Sequence, residues 1–207
     1  MLTQLVLDVP ITPWRDLGFV IAPHSDHHHT VIAGVRFVFF GADSTSTRPK
    51  GLTGWSFAEA PSTSFELDGV TTTRAEPAVE TFDHSLVVES IDHVVVMTPS
   101  LDRTCGEISA RLGLPLKRIR EVGGGVRQGF HRAGGVILEV VERPDIAADE
   151  PARLWGLVFV VADLDGSVDR LGPDVIGAPR DAVQPGRRIA TIKAETGLGV
   201  PVALMSA

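Results

Sequence analysis

The sequence predicts an α+β fold built from four copies of one unit, a strand and a short helix followed by two or three further strands. Three observations predict it. Blocks of the chain repeat in a fixed order. Short apolar runs of strand type recur between glycine-rich turns. Helical spacing of apolar residues appears in short segments directly after the first strand of a block.

The repeats come in four pairs. "LTQLVLDVP" (Leu2 to Pro10) lies over "IDHVVVMTP" (Ile91 to Pro99), and "AGVRFVFF" (Ala33 to Phe40) over "GGVILEVV" (Gly134 to Val141). "LTGWSFAE" (Leu52 to Glu59) matches "LWGLVFVV" (Leu154 to Val161), and "ELDG" (Glu66 to Gly69) matches "DLDG" (Asp163 to Gly166). The order is A-B-A′-B′, which duplication explains better than shared strand composition.

In the third unit, Ile91 to Thr98 reads as a strand, Ser100 as a helix N-cap, Leu101 to Leu112 as the helix and Gly113 as its stop. "LKRIREV", "RQGFHRAG" and "VILEVVERP" then read as strands separated by glycine turns. The fourth unit repeats the plan with a strand at 154–162, a helix at 163–171, and "DVIGAP", "RRIATIKA" and "VPVALMS" as strands. "TPWRDLG" is the candidate helix of the first unit. Residues 41–51 and 142–152 are the expected loops between units, and 81–89 the connection between halves.

Composition narrows the function classes. The chain has 207 residues, 43% of them apolar, and a formal charge of −7 with no Lys/Arg block to track a phosphate backbone, so nucleic acid is not an expected partner. The longest apolar runs fall far short of a membrane span. No basic leader or cleavage site precedes the first strand, so the expected location is the cytoplasm. Cys105 is the single cysteine. It excludes an intrachain disulfide and a thiolate cluster, and its helical spacing with Leu101, Ile108 and Leu112 marks a core position.

A strand buried on both faces normally reads as unbroken apolar residues, yet His93 interrupts "SIDHVVVMTP". By strand parity His93 shares a face with Ile91, Val95 and Met97, and Glu139 shares one with Ile137 and Val141. Val94, Val96, Leu138 and Val140 then pack under the helix. Both polar residues can therefore face one groove. His131 in "GFHRAG" is a candidate third polar group, and Arg118, Arg120, Arg127 and Arg132 stud the strands after the helix. They suit an anionic ligand or a charged, solvated edge. Trp55 and Trp155, at non-equivalent positions of matching repeats, read as core or groove-lining aromatics. "HSDHHH" (His24 to His29) reads as a solvated hairpin loop.

"IDHVVVMTPSLDRTCGEISARLGLPL", "GGVILEVVERP" and "LWGLVFVVADLDGSVDRLG" resemble the vicinal oxygen chelate superfamily, which includes glyoxalase I, methylmalonyl-CoA epimerase, extradiol dioxygenases and bleomycin-resistance proteins. The resemblance is good over Ser90 to Ala207 and weak over Met1 to Pro77. It implies tandem βαβββ units forming two glyoxalase-like half-barrel domains: a degenerate one at 1–85, and one at 90–207 made of units 90–143 and 154–207. It places His93 and Glu139 on the first-strand and fourth-strand metal positions. The partner unit has Gly156 and Ala203 there, and the first half has Gln4 and Val38, so only a half-site remains.

That half-site supplies two ligands where a catalytic ion normally has at least three. It would hold one divalent ion (Zn, Ni, Mn or Fe) if His131 or a second chain completed it, and otherwise no cofactor is expected. Glu139 and His93 are the candidate catalytic residues, and Arg118, Arg127, His131 and Trp155 the candidate substrate-binding residues. The expected partner is a small organic molecule. A homodimer is the arrangement that would join two half-sites into His2Glu2. Three classes stay open: a metal-dependent lyase, isomerase or dioxygenase; a metal-free binding module of the bleomycin-resistance type; and a structural descendant with a filled groove. Standard glyoxalase I chemistry is not expected, because Gly156 and Ala203 remove the partner unit's ligands.

Overall fold

The computed structural model describes residues 1–41, 50–61 and 63–207. The first unit comprises β1 (Leu2–Asp8), α1 (Thr12–Asp16), β2 (Ala22–His24), β3 (His27–Ile32) and β4 (Val35–Phe39). The second comprises β5 (Gly51–Phe57), β6 (Ser64–Leu67) and β7 (Val70–Arg74). The third is β8 (Val88–Thr98), α2 (Leu101–Leu112), β9 (Arg118–Gly123), β10 (Val126–Ala133) and β11 (Val136–Glu142). The fourth is β12 (Arg153–Val161), α3 (Leu164–Leu171), β13 (Arg180–Asp181), β14 (Arg188–Thr191) and β15 (Val202–Ser206), with a 3-10 turn at Ala194–Thr196. No helix is long and apolar enough to cross a membrane among the described residues.

Two mixed sheets result, in the orders β2-β3-β4-β1-β5-β7-β6 and β13-β14-β15-β12-β8-β11-β10-β9. In each, the first strands of two units pair antiparallel at the centre (β1 with β5, β8 with β12), and each centre strand pairs parallel with its unit's last strand. This pseudo-twofold arrangement pairs the units that the repeats mark out. The helix positions follow local signals: the Ser100 hydroxyl accepts from the Arg103 N–H, Gly113 ends α2 in the left-handed region, and the Asp163 carboxylate accepts from the Gly166 N–H at the start of α3. Gly124 and Gly125, at φ 61° and 77°, make the two-residue turn between β9 and β10, a conformation an L side chain would strain.

Three sequence expectations change. "ELDG" does not open a helix. It is the end of β6 and the β6–β7 turn, with Asp68 and Gly69 at positive φ, so the second unit goes from β5 to β6 without a described helix. "DVIGAP" is not a strand; a single bridge joins Ile176 to Ile192, and the short strand begins at Arg180. The histidine tract is not a loop. Ser25 and Asp26 turn, and His27, His28 and His29 lie in β3, paired with β2. Most of the predicted 41–51 loop lies outside the described residues.

One apolar core runs between the sheets and joins the halves. Phe159 of β12 packs on Phe19 and Phe37 with ring centroids 5.7 and 6.0 Å away, and the fully buried Trp14 donates its indole N–H to the Leu198 carbonyl at 3.1 Å. The turn at Asp68 reaches the other half as well, accepting from Arg103 Nε at 2.8 Å and from the Thr104 hydroxyl of α2. Cys105 is buried in this core, where desolvation first, and Asp102 second, push its thiol up to about 12. A thiolate-selective disulfide reagent is therefore expected to label the folded chain only as fast as it opens, and stoichiometric labelling within the mixing time would contradict this.

Candidate functional site

The groove lies on the face of the second sheet away from the helices. β8 pairs with β12 in a register that advances one residue on β12, Val158 to Phe159, while β8 advances two, His93 to Ile91. Asp92 is the extra residue of a β-bulge. Strict alternation would put Ile91 beside His93 in the groove; the bulge instead turns Ile91 into the core with Val94 and Val96, and sets Asp92 and His93 side by side on the groove wall. The parity expectation for Ile91 fails for this reason. The expectation for β11 holds: Ile137 and Glu139 face the groove, and Leu138 and Val140 the core.

The bulge builds a line of charged groups. His93 Nδ1 lies 2.8 Å from Asp92 Oδ2, and the Arg187 guanidinium donates to Asp92 Oδ1 at 2.6 Å. The His93 hydrogen bond, and after it Arg187, hold the Asp92 carboxyl below the ordinary aspartate range. An ionised Asp92 fixes the Nδ1–H tautomer and leaves Nε2 facing Glu139, whose Oε2 is 3.3 Å away. Glu139 Oε1 accepts from the Gln128 amide at 2.6 Å. Only 14% of the Glu139 side chain is exposed, and desolvation raises its carboxyl above the ordinary glutamate range against the opposing pull of His93. Gln128 Oε1 is buried without a partner and is left for a ligand or water.

These groups open onto a cavity of about 830 Å³, within the range of small-molecule sites. One wall is β9, β10 and β11; the other is the 180–185 segment with Ile189 and Met205. Arg118, Arg120 and Arg132 line the cavity, in cross-strand rows with Phe130, Gln128 and Ile137. The remaining sequence candidates lie elsewhere. Arg127 points to the helix side, pairing with Asp102 at 3.1 Å and Glu142 at 3.5 Å. His131 borders the cavity but falls opposite Leu138, on the core parity; its ring is 1% exposed, Nδ1 donates to the Leu114 carbonyl at 2.8 Å, and burial lowers its basicity. Trp155 is 42% exposed and outside the cavity wall, and Trp55 is fully buried. In the first half His24, His27 and His29 cluster with ring centroids 4.9 to 6.3 Å apart.

The pseudo-twofold axis shows what became of the second half-site. The pair His93–Val158 maps onto Gly156–Val95, and Val95–Glu139 onto Val158–Ala203, so Gly156 and Ala203 stand at the symmetry positions of His93 and Glu139. In the first sheet Gln4, paired with Arg36, and Val38, paired with Val6, stand there. A Cβ on Gly156 would lie 2.5 Å from the Pro201 carbonyl oxygen, so the backbone has closed over the space a ligand would need. Gly156→Ala is expected to cost about 1–3 kcal/mol in urea denaturation. Gly54→Ala, at the first-half equivalent where the nearest atom is 3.0 Å away, is expected to cost less. Equal, negligible losses would show that the backbone yields.

The resemblance carried by the sequence implies a divalent ion here, and the residues do not fit a catalytic one. His93 Nε2 and Glu139 Oε2 are the two facing donors, the symmetry positions offer none, His131 faces away, and no group of three or more His, Cys, Asp or Glu could hold an ion among the described residues.

No protein-family profile and no curated protein matches the chain. Solved structures do. A triple mutant of 4-hydroxymandelate synthase from Streptomyces coelicolor superimposes with a TM-score of 0.69 at 14% identity, over 99% of this chain and 91% of that one. Methylmalonyl-CoA epimerase from Mycobacterium tuberculosis matches with a TM-score of 0.48 at 21% identity, over 59% of this chain and 90% of that one. A Streptomyces coelicolor methylmalonyl-CoA epimerase variant in complex with 2-nitronate-propionyl-CoA gives 0.46 at 25% identity, over 58% and 98%. The whole-length likeness shows the fold: this chain has the vicinal oxygen chelate fold, four βαβββ-like units in two half-barrels, the first degenerate.

Proposed function

We propose that the groove binds a small organic molecule and moves a proton on it, with Glu139 as the base and His93 as its proton-exchanging partner, and with no bound metal. The observation that carries this is Glu139 itself: a desolvated carboxyl of raised proton affinity, held by Gln128, 3.3 Å from His93 Nε2 and open to an 830 Å³ cavity. In such a step Glu139 takes a proton from a carbon next to a carbonyl, and the electron pair moves onto the carbonyl oxygen. Return of the proton, to the same carbon or another, completes an epimerisation or isomerisation. Asp92, anchored by Arg187, keeps the His93 ring aligned throughout.

The test is solvent exchange. Untagged, chelator-treated protein is incubated in D2O with a panel of 2-oxo acids, β-keto acids and thioesters, and the C–H signals are followed by NMR. Protein-dependent deuterium uptake at a carbon next to a carbonyl, unchanged by chelation, is expected. Uptake that disappears on chelation and returns with Zn, Ni, Mn or Fe would overturn the metal-free reading in favour of a metal-dependent lyase or isomerase. The apolar cluster of Val158, Ala203, Met205 and Ile189 opposite the charged line supports a second reading, a sequestering module; saturable binding of panel members without exchange would favour it.

A further inference from the structure

Resting on that reading, we infer that the ligand of this groove is an organic anion with an apolar body, its carboxylate or phosphate held by the arginines of β9, β10 and β13 while its apolar part lies on Ile189 and Met205. Five cations line the cavity: Lys117, Arg118, Arg120, Arg132 and Arg180. None of them makes an ion pair or side-chain hydrogen bond among the described residues. Arg187 beside the cavity pairs with Asp92, and elsewhere in the fold Arg36, Arg103, Arg111, Arg127, Arg143 and Arg188 each pair with a carboxylate. Arg74, Arg153, Arg170 and Lys193 also lack an ion pair among the described residues, but the five at the cavity are gathered on one surface in a chain where acids outnumber bases, 26 to 19.

The rows of the sheet set the distances. Arg118 lies across from Phe130, and Phe130 from Glu139, so the guanidinium strand and the base are two strand spacings apart, about 10 Å between backbones. Arg120 is near enough to pull on the Glu139 carboxyl without contacting it. An anionic group on this rim therefore leaves several ångströms of ligand between itself and Glu139, room for a short organic acid. Arginine suits the role because its planar fork binds carboxylate and phosphate oxygens in pairs. The opposite wall supplies Ile189 and Met205, which suit an apolar body.

The test uses 8-anilinonaphthalene-1-sulfonate as an amphipathic anionic probe and N-phenyl-1-naphthylamine as its uncharged counterpart, each titrated by fluorescence into the intact chain. The sulfonate is expected to bind at one site, to weaken as NaCl rises from 25 to 300 mM, and to bind about tenfold more weakly to Arg118→Gln/Arg120→Gln. The uncharged probe is expected to change by less than twofold in either comparison. Arg118 is exposed and Arg120 half-buried, and a thermal melt checks that the variant folds; if it does not, Arg180→Gln and the salt series on the unmodified chain carry the same comparison. Competition by benzoate and by phenyl phosphate assigns the anion as carboxylate or phosphate. Equal affinity for the two probes, insensitive to salt and to the substitutions, would overturn the inference. Glu139→Gln separates it from the proton-transfer reading: sulfonate binding that persists in this variant while solvent exchange is absent from the unmodified chain leaves the anion site standing and sinks the base.

Discussion

Replacing Glu139 with Gln is expected to lower proton exchange by about 10²–10⁴-fold while raising the stability of the fold at pH 7 by about 0.5–2 kcal/mol. Both effects follow from one placement. The carboxyl is buried beside Ile137 with one strong hydrogen bond, from Gln128, so ionising it costs desolvation that the fold must carry. Its proton affinity is raised in the folded state. The stabilising protonated form is fully present below the unfolded value of 4.5, and the benefit is lost as pH rises through the folded value. Glu139→Gln removes this loss, so its advantage should vanish below about 4.5 and grow as pH rises above it. Asp92 has the opposite sign. Its lowered carboxyl contributes stability above 3.8 that disappears as pH falls. Urea melts of the wild type and Glu139→Gln from pH 4 to 8 check this; a variant less stable at pH 7 would mean that the carboxylate is well solvated or held by a cation.

Phe159→Ala is expected to cost about 3–5 kcal/mol and to lower the melting temperature of the whole chain by roughly 6–20 °C in a single transition. Phe159 sits at the centre of β12, buried against Phe19 and Phe37 of the first half, and the same contact region includes Trp14 and its bond to Leu198. In the first half Gln4 and Val38 stand at the positions of His93 and Glu139, yet its core is continuous with that of the second. A calorimetric trace with two separated transitions, only one of them moved, would show that the halves fold apart.

The four units and their order were legible because duplication leaves its mark on apolar patterns, and period-two alternation put Glu139 on the groove side of β11; the order of strands in each sheet was not read from the sequence. The same alternation misplaced Ile91. A bulge adds one residue without changing composition, so nothing in "SIDHVVV" distinguishes a bulged strand from a regular one. For that reason Asp92, the residue that orients His93, was invisible as a functional group, as were Arg187 and Gln128, which reach the site from distant positions. Among the arginines, parity along β10 separates Arg132 from Arg127, but the carboxylates that draw Arg127 to the helix, Asp102 and Glu142, are tertiary neighbours. "ELDG" and "DLDG" differ by one residue, yet one sits in a hairpin and the other opens a helix; in the second Asp163 caps the Gly166 N–H, whereas Glu66 stays in β6.

The proposed role of Glu139 as a base in a groove without a metal rests on the proton affinity of its carboxyl, which a carbon-13 NMR titration of untagged protein purified without added chelator measures. The expected midpoint lies above the ordinary glutamate value of 4.5, because burial disfavours the carboxylate. A midpoint at or below 4.5, as solvation or a bound divalent cation would impose, would contradict it.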